Sequence, residues 1–337
     1  MTTARTGSDQ TPPRVLVTGG AGYIGSHACK ALLRAGYTPV TVDDLSAGHR
    51  WAVRWGPLEV CDVRDGPALA RVFARHRPCA VMHFAALIEV GQSQAQPTRY
   101  WANNVGGLFS VLQTMQDHAV RPLVFSSTAA VYGEPDRVPI PEEAALRPSN
   151  PYGATKHAGE RLLADVHEAG QADYVALRYF NAAGADPDGE IGEAHDPETH
   201  LIPNAIRAVR DPDYSLSLFG RDFPTSDGTA VRDYVHVTDL AEAHVLALRH
   251  LLAVGVSCAL NVGSGAGASV QEVVDACARV LGAPPAVRSA PRRPGDPARL
   301  VAQPDRARER LGWSPRLSDL DTIVTTAAAW YDRMNAR

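Results

Sequence analysis

Tyr152 and Lys156 are four residues apart and together could supply a general acid and base. Pro151 favours the first turn of a helix here, and a spacing of four places both side chains on one helix face. A free tyrosine has a pKa of about 10, too high for a good base at neutral pH, and a nearby ammonium favours the phenolate. The pair predicts proton exchange with a hydroxyl group, although the spacing alone is common on helix surfaces.

Hydroxyl side chains at the end of a predicted strand provide a third catalytic candidate. Ser126, Ser127 and Thr128 follow Phe125, and a small hydroxyl group there can bond to a reacting oxygen. Ser and Thr are also frequent in turns at strand ends. The residues alone leave open which of the three acts with Tyr152, and the family resemblance described below implies Thr128.

Three glycines, Gly19, Gly22 and Gly25, lie between the apolar run 15–17 and a predicted helix. A helix N-terminus offers N–H groups and a positive dipole end to a phosphate, and glycine lets the backbone approach it. The spacing is a variant of the dinucleotide fingerprint. Asp43 lies 18 residues after Gly25, close to the roughly 20 expected for the carboxylate that binds a ribose. Because this carboxylate repels a 2′-phosphate, the sequence favours NAD over NADP.

The elements that must position these residues alternate between strand and helix through the first half of the chain. This order is typical of right-handed βαβ crossovers around a parallel sheet, in which ligands lie at the carboxyl ends of the strands. The predicted strands are 15–17, 39–42, 58–60, 80–83, 122–126 and 174–179, and the predicted helices are 24–35, 67–76, 98–118 and 152–169.

The pattern changes after residue 181, where 181–200 predicts a loop and lid region. The segments expected beyond it are helices at 201–210, 245–252 and 270–281, strands at 235–237 and 260–262, and a proline-rich extended stretch at 284–297. We therefore expect a flexible tail at 1–12 and an NAD-binding domain at 13–182 with a return segment at about 233–262. Residues 183–232 and 263–337 would form a substrate domain.

Composition excludes several classes of protein. The chain has 337 residues, of which 45% are apolar and 21% charged, with a net charge of −4, so nothing indicates nucleic-acid binding. No stretch is long and apolar enough for a membrane span, and the polar N-terminus does not resemble a signal peptide. The five cysteines lack metal-ligand spacing, so we expect no metal site and a reducing cytoplasmic location.

Taken together, the motifs resemble those of the extended short-chain dehydrogenases/reductases, and within them the branch of sugar-nucleotide 4-epimerases. The resemblance covers residues 14–335 approximately. Its more specific runs are 177–184 and 227–240. The other matching stretches are 18–27, 42–48, 83–93, 125–133, 151–156, 201–203 and 292–296. The resemblance implies a Rossmann-type doubly wound parallel sheet with a smaller mixed α/β C-terminal substrate domain.

The same resemblance implies the site residues. Those expected at NAD are Gly19, Gly22, Tyr23, Ile24, Gly25, Asp43, Asp44, Leu45, Ser46, Ala47, Gly48, Asp62, Val63, Phe84, Ala85, Ala86, Ile88, Asn103, Tyr152, Lys156 and Phe180. Those expected at a UDP-sugar are Thr128, Tyr152, Asn181, His200 and Leu201, then Phe219, Arg232, Arg293 and Asp296 at the uridine and diphosphate, and Leu300 as gatekeeper. Arginines suit a diphosphate, and an aromatic face suits uracil.

The implied activity is the interconversion of UDP-galactose and UDP-glucose. Tyr152 would remove the C4 hydroxyl proton, hydride would pass to bound NAD, and the keto sugar would turn so that hydride returns to its other face. The family also pairs subunits through two helices, here 98–118 and 152–169, so we expect a homodimer. Apolar side chains that could contribute are Val105, Leu108, Leu112, Leu162 and Leu163, unless they belong to the monomer core.

The chain departs from the family pattern at four positions. Ile88 stands where many relatives have lysine, His200 where bacterial relatives often have asparagine, and Thr128 where serine is frequent. Leu300 replaces a tyrosine that is associated with exclusion of N-acetylated sugars. We therefore expect some activity on UDP-N-acetylhexosamines.

Four other functions are alternatives to this activity. A sugar-nucleotide dehydratase needs acidic residues after Thr128, where this chain has Ala129 and Ala130. A 4-epimerase of UDP-pentoses or UDP-uronic acids would use the same residues and stays open. A non-catalytic NAD-binding regulator and a dehydrogenase that releases NADH are the remaining alternatives.

Overall fold

The computed structural model of the protein describes residues 12–293 and 295–336, so the tail expected at 1–12 lies outside the described residues apart from Pro12. The strands are β1 (Arg14–Thr18), β2 (Thr38–Asp43), β3 (Leu58–Val60), β4 (Ala80–His83), β5 (Pro122–Thr128), β6 (Asp173–Tyr179), β7 (Asn181–Ala183), β8 (Leu216–Phe219), β9 (Val231–Arg232), β10 (Tyr234–His236), β11 (Cys258–Val262), β12 (Ala268–Ser269), β13 (Val287–Ala290) and β14 (Arg299–Leu300). The α-helices are α1 (Tyr23–Arg34), α2 (Gly66–His76), α3 (Val90–Ala95), α4 (Pro97–Tyr100), α5 (Gly106–Asp117), α6 (Pro151–Glu168), α7 (Leu201–Arg210), α8 (Val237–Val254), α9 (Val270–Leu281), α10 (Asp305–Leu311) and α11 (Leu320–Asn335).

Seven strands form the main sheet in the order β11-β6-β5-β4-β1-β2-β3, and every neighbouring pair is parallel. Helices cover both faces because successive strand side chains point in opposite directions. Val15 and Val17 pack with α1 and α8, whereas Leu16 packs with α2, α5 and α6. The predicted Rossmann-type doubly wound sheet is confirmed. Full burial of a leucine or valine stabilises such a core by about 1.5–3 kcal/mol.

The strand order reverses at β1 and β4, which are neighbours although β2 and β3 intervene in the chain. From β1 the chain passes to β2 and β3 on one side, and it then crosses back to β4, β5 and β6 on the other side. A crevice opens between such connections at the carboxyl ends of the strands. The glycines after β1 and the hydroxyl residues of β5 lie at this edge.

A smaller body packs mainly helix on helix. Its core contains Ile202 and Ile206 of α7, Val273 of α9, and Ile323 and Val324 of α11. The buried positions of α7 recur every three or four residues, as an amphipathic helix requires. Beside it, β9 pairs with β12 and β14, and β8 pairs with β13. The separate core supports the expected substrate domain, whose limits stay a prediction.

The return segment contributes to the first sheet through β11, which pairs with β6, and through α8, which packs against α1. The helix predicted at 245–252 begins earlier, at Val237. The His236 side chain accepts a hydrogen bond from the Thr238 N–H, which caps the helix, and Gly255 in a left-handed conformation ends it. Histidine is not a usual capping residue, so no capping signal marked this start.

The helix predicted at 98–118 is three pieces: α4, a π-helical segment at Trp101–Val105, and α5. The predicted loop at 181–200 contains one short strand, β7, which pairs with β10. Among the described residues, none of the helices is both long and apolar enough to cross a membrane.

Candidate active site

The turn between β1 and α1 can be built only with glycine. Gly19 has a φ of +70°, and a Cβ atom there would lie 2.6 Å from the Ala85 nitrogen. A Cβ on Gly25 would lie 2.2 Å from the Gly19 carbonyl oxygen. Gly22 precedes α1, whose first turn begins with Tyr23 and Ile24. Because Gly22 has no side chain, the N–H groups of this first turn have no side-chain cap. Those groups suit the oxygens of a pyrophosphate.

Asp43 links this turn to the loop that follows β2. Its carboxylate accepts hydrogen bonds from the N–H groups of Ala21 at 3.0 Å and Leu45 at 2.9 Å. A Cβ on Gly48 would lie 2.8 Å from Asp43 Oδ1, so the loop packs directly on the carboxylate. Burial raises the pKa of Asp43, and the two N–H groups oppose this. A carboxylate held at a strand end next to the glycine turn fits a ribose hydroxyl.

The other residues expected at the adenosine lie in the segments that follow β2 and β3. Asp44 accepts from the Ser46 N–H at 2.9 Å, and Ala47 follows on this loop. Asp62 is held by Arg64, which lowers the pKa of its carboxyl by a side-chain hydrogen bond. Val63 is buried, and a Cβ on Gly107 would lie 2.9 Å from its Cγ2. Asp62 is thus paired within the protein.

The residues expected along the rest of the cofactor follow β4. The N–H groups of Phe84 and Ala85 donate to the Thr18 carbonyl at 2.9 and 3.1 Å, which continues the sheet into this segment. Ala86 is half-buried and Ile88 is exposed. Asn103 lies in the π-helical segment.

Asn104, which sequence reasoning missed, fixes this segment. Its side chain accepts from the Leu87 N–H at 2.8 Å and donates to the Leu87 carbonyl at 3.0 Å. It also donates to the Thr155 hydroxyl at 3.0 Å and accepts from the Asn103 amide at 3.0 Å. The bonds join the segment after β4 to α6. Nothing in the sequence distinguishes this asparagine from its neighbour.

The catalytic wall, which we define as Thr128, Tyr152 and Lys156, stands where β5 meets the first turn of α6. Asn150 caps α6 by accepting from the Gly153 N–H at 2.9 Å, and this places Tyr152 in the first turn. Burial raises the pKa of Tyr152 to about 12, and a hydrogen bond with the Thr128 side chain lowers it in part. The structure therefore brings Thr128 and Tyr152 together.

Lys156 is 2% exposed, and its Nζ donates to the Ser126 carbonyl at 2.8 Å. Burial lowers the pKa of Lys156 to about 7, because an ammonium is costly away from water. In the protein alone, burial outweighs every opposing effect on the phenol, and the expectation that Lys156 lowers the pKa of Tyr152 stays a prediction.

A buried ion pair supports the wall from below. Arg178 on β6 donates to both oxygens of Glu160 on α6, at 2.9 and 2.6 Å, and Glu160 also accepts from Ser127. Both side chains are at least nine-tenths buried. The pair fixes α6 against the ends of β5 and β6. Arg178 lies in the specific run 177–184, which was the only sequence signal for it.

The nucleotide edge, which we define as Phe219, Arg232, Arg293 and Asp296, assembles residues far apart in sequence. The Arg293 guanidinium carbon lies 4.1 Å from the centre of the Phe219 ring. Arg232 forms an ion pair with Asp296 and donates to the Val231 carbonyl at 2.8 Å. The Asp296 N–H donates to the Arg293 carbonyl at 3.2 Å, so the four residues form one connected group of two arginines, one carboxylate and one aromatic ring.

Leu300 connects this edge to the catalytic wall. It lies opposite Arg232 in the pairing of β14 with β9. Its side chain and that of Phe180 both pack on the buried cluster Ala129, Val131, Tyr132 and Ile140.

Three predicted substrate residues lie on or beyond β7. Asn181 is exposed on β7. His200 precedes Leu201 at the start of α7, and its Nδ1 lies 2.7 Å from Glu193 Oε1 and 2.9 Å from Glu198 Oε1. Burial lowers the pKa of His200, but the two carboxylates outweigh it and raise it to about 10. The His200 ring is thus engaged by protein groups.

The sheet order, the glycine turn, the carboxylate after β2 and the tyrosine and lysine of α6 define an α/β protein of the dinucleotide-binding class. The chain belongs to the NAD dependent epimerase/dehydratase family, which it matches over residues 15–263.

Individual relatives match nearly the whole chain. A UDP-glucose 4-epimerase of Rhizobium leguminosarum bv. trifolii is 50% identical over 95% of this chain and 98% of its own length. The solved structure of UDP-glucose 4-epimerase from Brucella ovis in complex with NAD has a TM-score of 0.92 at 49% identity, covering 95% of this chain and 98% of that one. The UDP-Glc/GlcNAc 4-epimerase of Campylobacter jejuni has a TM-score of 0.83 at 36% identity, covering 95% and 99%.

Proposed function

We propose that the protein interconverts UDP-galactose and UDP-glucose by epimerisation at sugar C4, with NAD as a resident cofactor. The observation that carries this proposal is the catalytic wall, where Thr128 at the end of β5 interacts with Tyr152 in the first turn of α6, beside the buried Lys156. The wall stands between a glycine turn suited to a pyrophosphate and a nucleotide edge suited to UDP. The near-full-length similarity to UDP-glucose 4-epimerases supports the same activity.

The roles of the residues follow from their surroundings. Tyr152 takes the proton of the C4 hydroxyl and later returns it, and Thr128 keeps the phenol oriented by its hydrogen bond. When bound, NAD accepts the hydride from C4 and returns it. Because Lys156 is buried and Tyr152 is half-buried beside it, a charge that develops there acts strongly. A positive charge beside the ring, from the Lys156 ammonium and from the nicotinamide when NAD is bound, would lower the pKa of Tyr152, so that its phenolate can accept the C4 proton.

Binding energy is best placed away from the reacting carbon. The sugar must turn between the two hydride transfers, so contacts to the hexose have to be weak. Arg232, Arg293 and Phe219 can hold the UDP portion through the whole cycle without restraining the sugar.

The direct test is incubation of the purified protein with UDP-galactose, first without and then with added NAD, followed by separation of the nucleotide sugars. We expect UDP-glucose without net NADH, and none with the Tyr152→Phe variant. Net NADH would indicate a dehydrogenase instead. No UDP-glucose under either condition would contradict the proposal, and UDP-GalNAc, UDP-glucuronate and a UDP-pentose would be tried next.

Activity on UDP-N-acetylhexosamines is a second candidate, favoured by Leu300. The side chain lacks a hydroxyl group and is smaller than tyrosine, and it packs beside Phe180 and the cluster around Ala129. An acetamido group therefore meets an apolar, yielding neighbour. UDP-GalNAc that is left unchanged by protein active on UDP-galactose would contradict this.

The alternatives differ in how they fit the site. A dehydratase is disfavoured, because Ala129 and Ala130 stand where acidic groups are needed, and neither side chain can transfer a proton. A non-catalytic regulator has no need of a desolvated lysine behind a tyrosine. A UDP-pentose or UDP-uronic acid substrate would use the same wall, and the assay above distinguishes it.

We also propose a homodimer formed through α5 and α6. Leu108, Leu112 and Leu163 are buried within the monomer, so they are not available for a partner. Trp101 and Phe109 instead are 43% and 52% exposed on the same helical stretch. Sedimentation should show a dimer that Phe109→Glu converts to monomer. A monomeric wild type would contradict the proposal.

A cytoplasmic location is proposed from cysteine chemistry. All five cysteines lie within the described residues, and each is free. Free buried thiols are usual in reducing compartments.

A further inference from the structure

Four ionisable side chains meet on the loop before α7, and we name them the Glu-His cluster: Glu193, His195, Glu198 and His200. One ligand-type atom of each lies within 4.8 Å of every other. His195 Nδ1 is 3.1 Å from Glu193 Oε1 and 3.6 Å from Glu198 Oε2. With the contacts of His200, two imidazole nitrogens and two carboxylates converge on one point.

His200 Nδ1 is in hydrogen-bond geometry with Glu198 Oε1 at 2.9 Å, and His195 is the histidine of the cluster that lacks such a bond at its Nδ1. Its Nδ1 is buried and, among the described residues, has no partner in hydrogen-bond geometry, although two carboxylate oxygens are close. Ligands of one metal ion point at the ion and not at each other. Tetrahedral zinc with bonds of about 2.0–2.1 Å places its ligand atoms about 3.3 Å apart. The separations in the Glu-His cluster lie around this value.

The charge of the cluster also calls for a cation. The Glu193 side chain is 8% exposed and that of Glu198 is 20% exposed, and burying carboxylates is costly unless they are paired. Among the described residues, neither glutamate forms an ion pair with a lysine or an arginine. With neutral imidazoles, the two carboxylates balance one divalent ion.

A nearby acidic cluster provides the contrast. Asp186, Asp188 and Glu190 also converge, but the Lys30 ammonium lies between them at 2.7, 2.8 and 2.7 Å. That group already holds its cation within the protein. In the part of the chain that the structure describes, no lysine or arginine takes the corresponding place in the Glu-His cluster.

We propose that the Glu-His cluster binds one zinc ion, with Glu193, His195, Glu198 and His200 as its four ligands. Two imidazoles and two carboxylates are ligands that zinc accepts, and four protein ligands make a closed, structural site. The spacing of the cysteines alone predicts no metal site. The glutamates and histidines of the cluster, all within eight positions, were the signal for one.

The ion would fix a loop that touches several parts of the fold. The Glu193 carbonyl accepts from the Trp330 indole at 2.8 Å, and the Ala194 carbonyl lies 2.8 Å from His49 Nε2. The His195 ring lies 6.3 Å from the ring of Tyr23, whose hydroxyl donates to Gly184 at 2.6 Å. Zinc would therefore hold this loop against the start of α1, beside the glycine turn.

The rival state is a metal-free network in which both histidines are protonated and balance the two carboxylates. The test uses the full chain with its cofactor and without a histidine tag. After chelation and dialysis, the protein is titrated with Co²⁺ and then with Zn²⁺. We expect a visible absorption of tetrahedral Co²⁺ that saturates at one equivalent and is abolished by one equivalent of Zn²⁺.

Variants identify the site without relying on activity. His195→Ala and Glu193→Gln should lose the Co²⁺ spectrum and weaken zinc binding at least about 100-fold, whereas Asp188→Asn in the neighbouring cluster should bind as the wild type does. Zinc should raise the melting temperature of the wild type and of Asp188→Asn but not that of His195→Ala. Circular dichroism establishes that each variant is folded. Absence of tetrahedral Co²⁺ in the wild type, or an unchanged spectrum in folded His195→Ala, would overturn the proposal.

Discussion

The catalytic wall and the nucleotide edge face the same site but are built differently. The wall combines a seven-residue strand, β5, with an eighteen-residue helix, α6, and its lysine is 2% exposed. The edge depends on two-residue strands, β9 and β14, and its Arg232 and Asp296 side chains are 13% and 29% exposed. Under the proposed function, the drier, regular part performs the chemistry and the charged, wetter part holds the substrate.

The largest effect is expected at the wall, from Tyr152→Phe. Loss of the phenolic proton should lower kcat about 100- to 10,000-fold, while the KM for UDP-galactose changes little because the edge is intact. Steady-state kinetics measures both. Retained NAD in the purified variant is the control for folding. A drop in kcat of less than tenfold would remove Tyr152 from its assigned role.

The edge should respond in the opposite way. Arg232→Ala removes a charge-assisted contact and leaves Asp296 unpaired, so KM should rise about 10- to 100-fold with kcat largely kept. Arg288→Ala is the matched control, since this exposed arginine on β13 bonds only to Ser217 among the described residues. If kcat fell as far as KM rose, the separation between wall and edge would not hold.

Leu300 lies where the two regions meet, and a change there should alter selectivity more than rate. Leu300→Tyr adds bulk beside Phe180, so the ratio of UDP-GalNAc to UDP-galactose turnover should fall about tenfold. Competing both substrates in one assay gives the ratio directly. A ratio that did not move would place the acetamido group away from Leu300.

The smallest effect is on stability, and it tests the claim that the Lys156 side chain of the wall is withdrawn from water. Burial lowers the pKa of Lys156 from 10.5 to about 7, so the unfolded chain binds one more proton between these values. This group therefore destabilises the fold fully below pH 7, and the penalty fades as pH rises towards 10.5. Lys156→Met should melt a few degrees higher than the wild type at pH 7, at roughly 2–4 °C per kcal/mol, and the difference should shrink with rising pH.

Thermal melts at several pH values, with the NAD content of both proteins matched, test this. A Lys156→Met variant that is less stable than the wild type at every pH would mean that its bond to the Ser126 carbonyl outweighs the cost of burial.

Local spacing predicted the parts of the site that one turn or one helix builds. The glycine turn, Asp43 and the Tyr152–Lys156 pair each depend on neighbours in sequence, and the structure places them as expected. Phe219 and Arg293 came only from the resemblance, because their contact joins segments more than seventy residues apart.

Buried polar residues were the main omission. Asn104 and Glu160 are of residue types that usually lie at the surface, and only partners distant in sequence make their burial tolerable. The sequence also left open which residues of α5 face the core, since a π-helical segment shifts the residues after it relative to a regular repeat. Leu108 therefore faces the core, and Phe109 faces outward.

The position of β11 at the end of the main sheet has a consequence for synthesis of the chain on the ribosome. The outer edge of β6, with its buried residues Val175, Ala176 and Leu177, is covered only when residues 258–262 pair with it. Nearly eighty residues are translated between the two strands. A nascent or truncated chain that stops before residue 258 exposes an apolar strand edge, which favours association between copies. The need for chaperones should therefore persist until β11, the last strand of the main sheet in chain order, emerges from the ribosome.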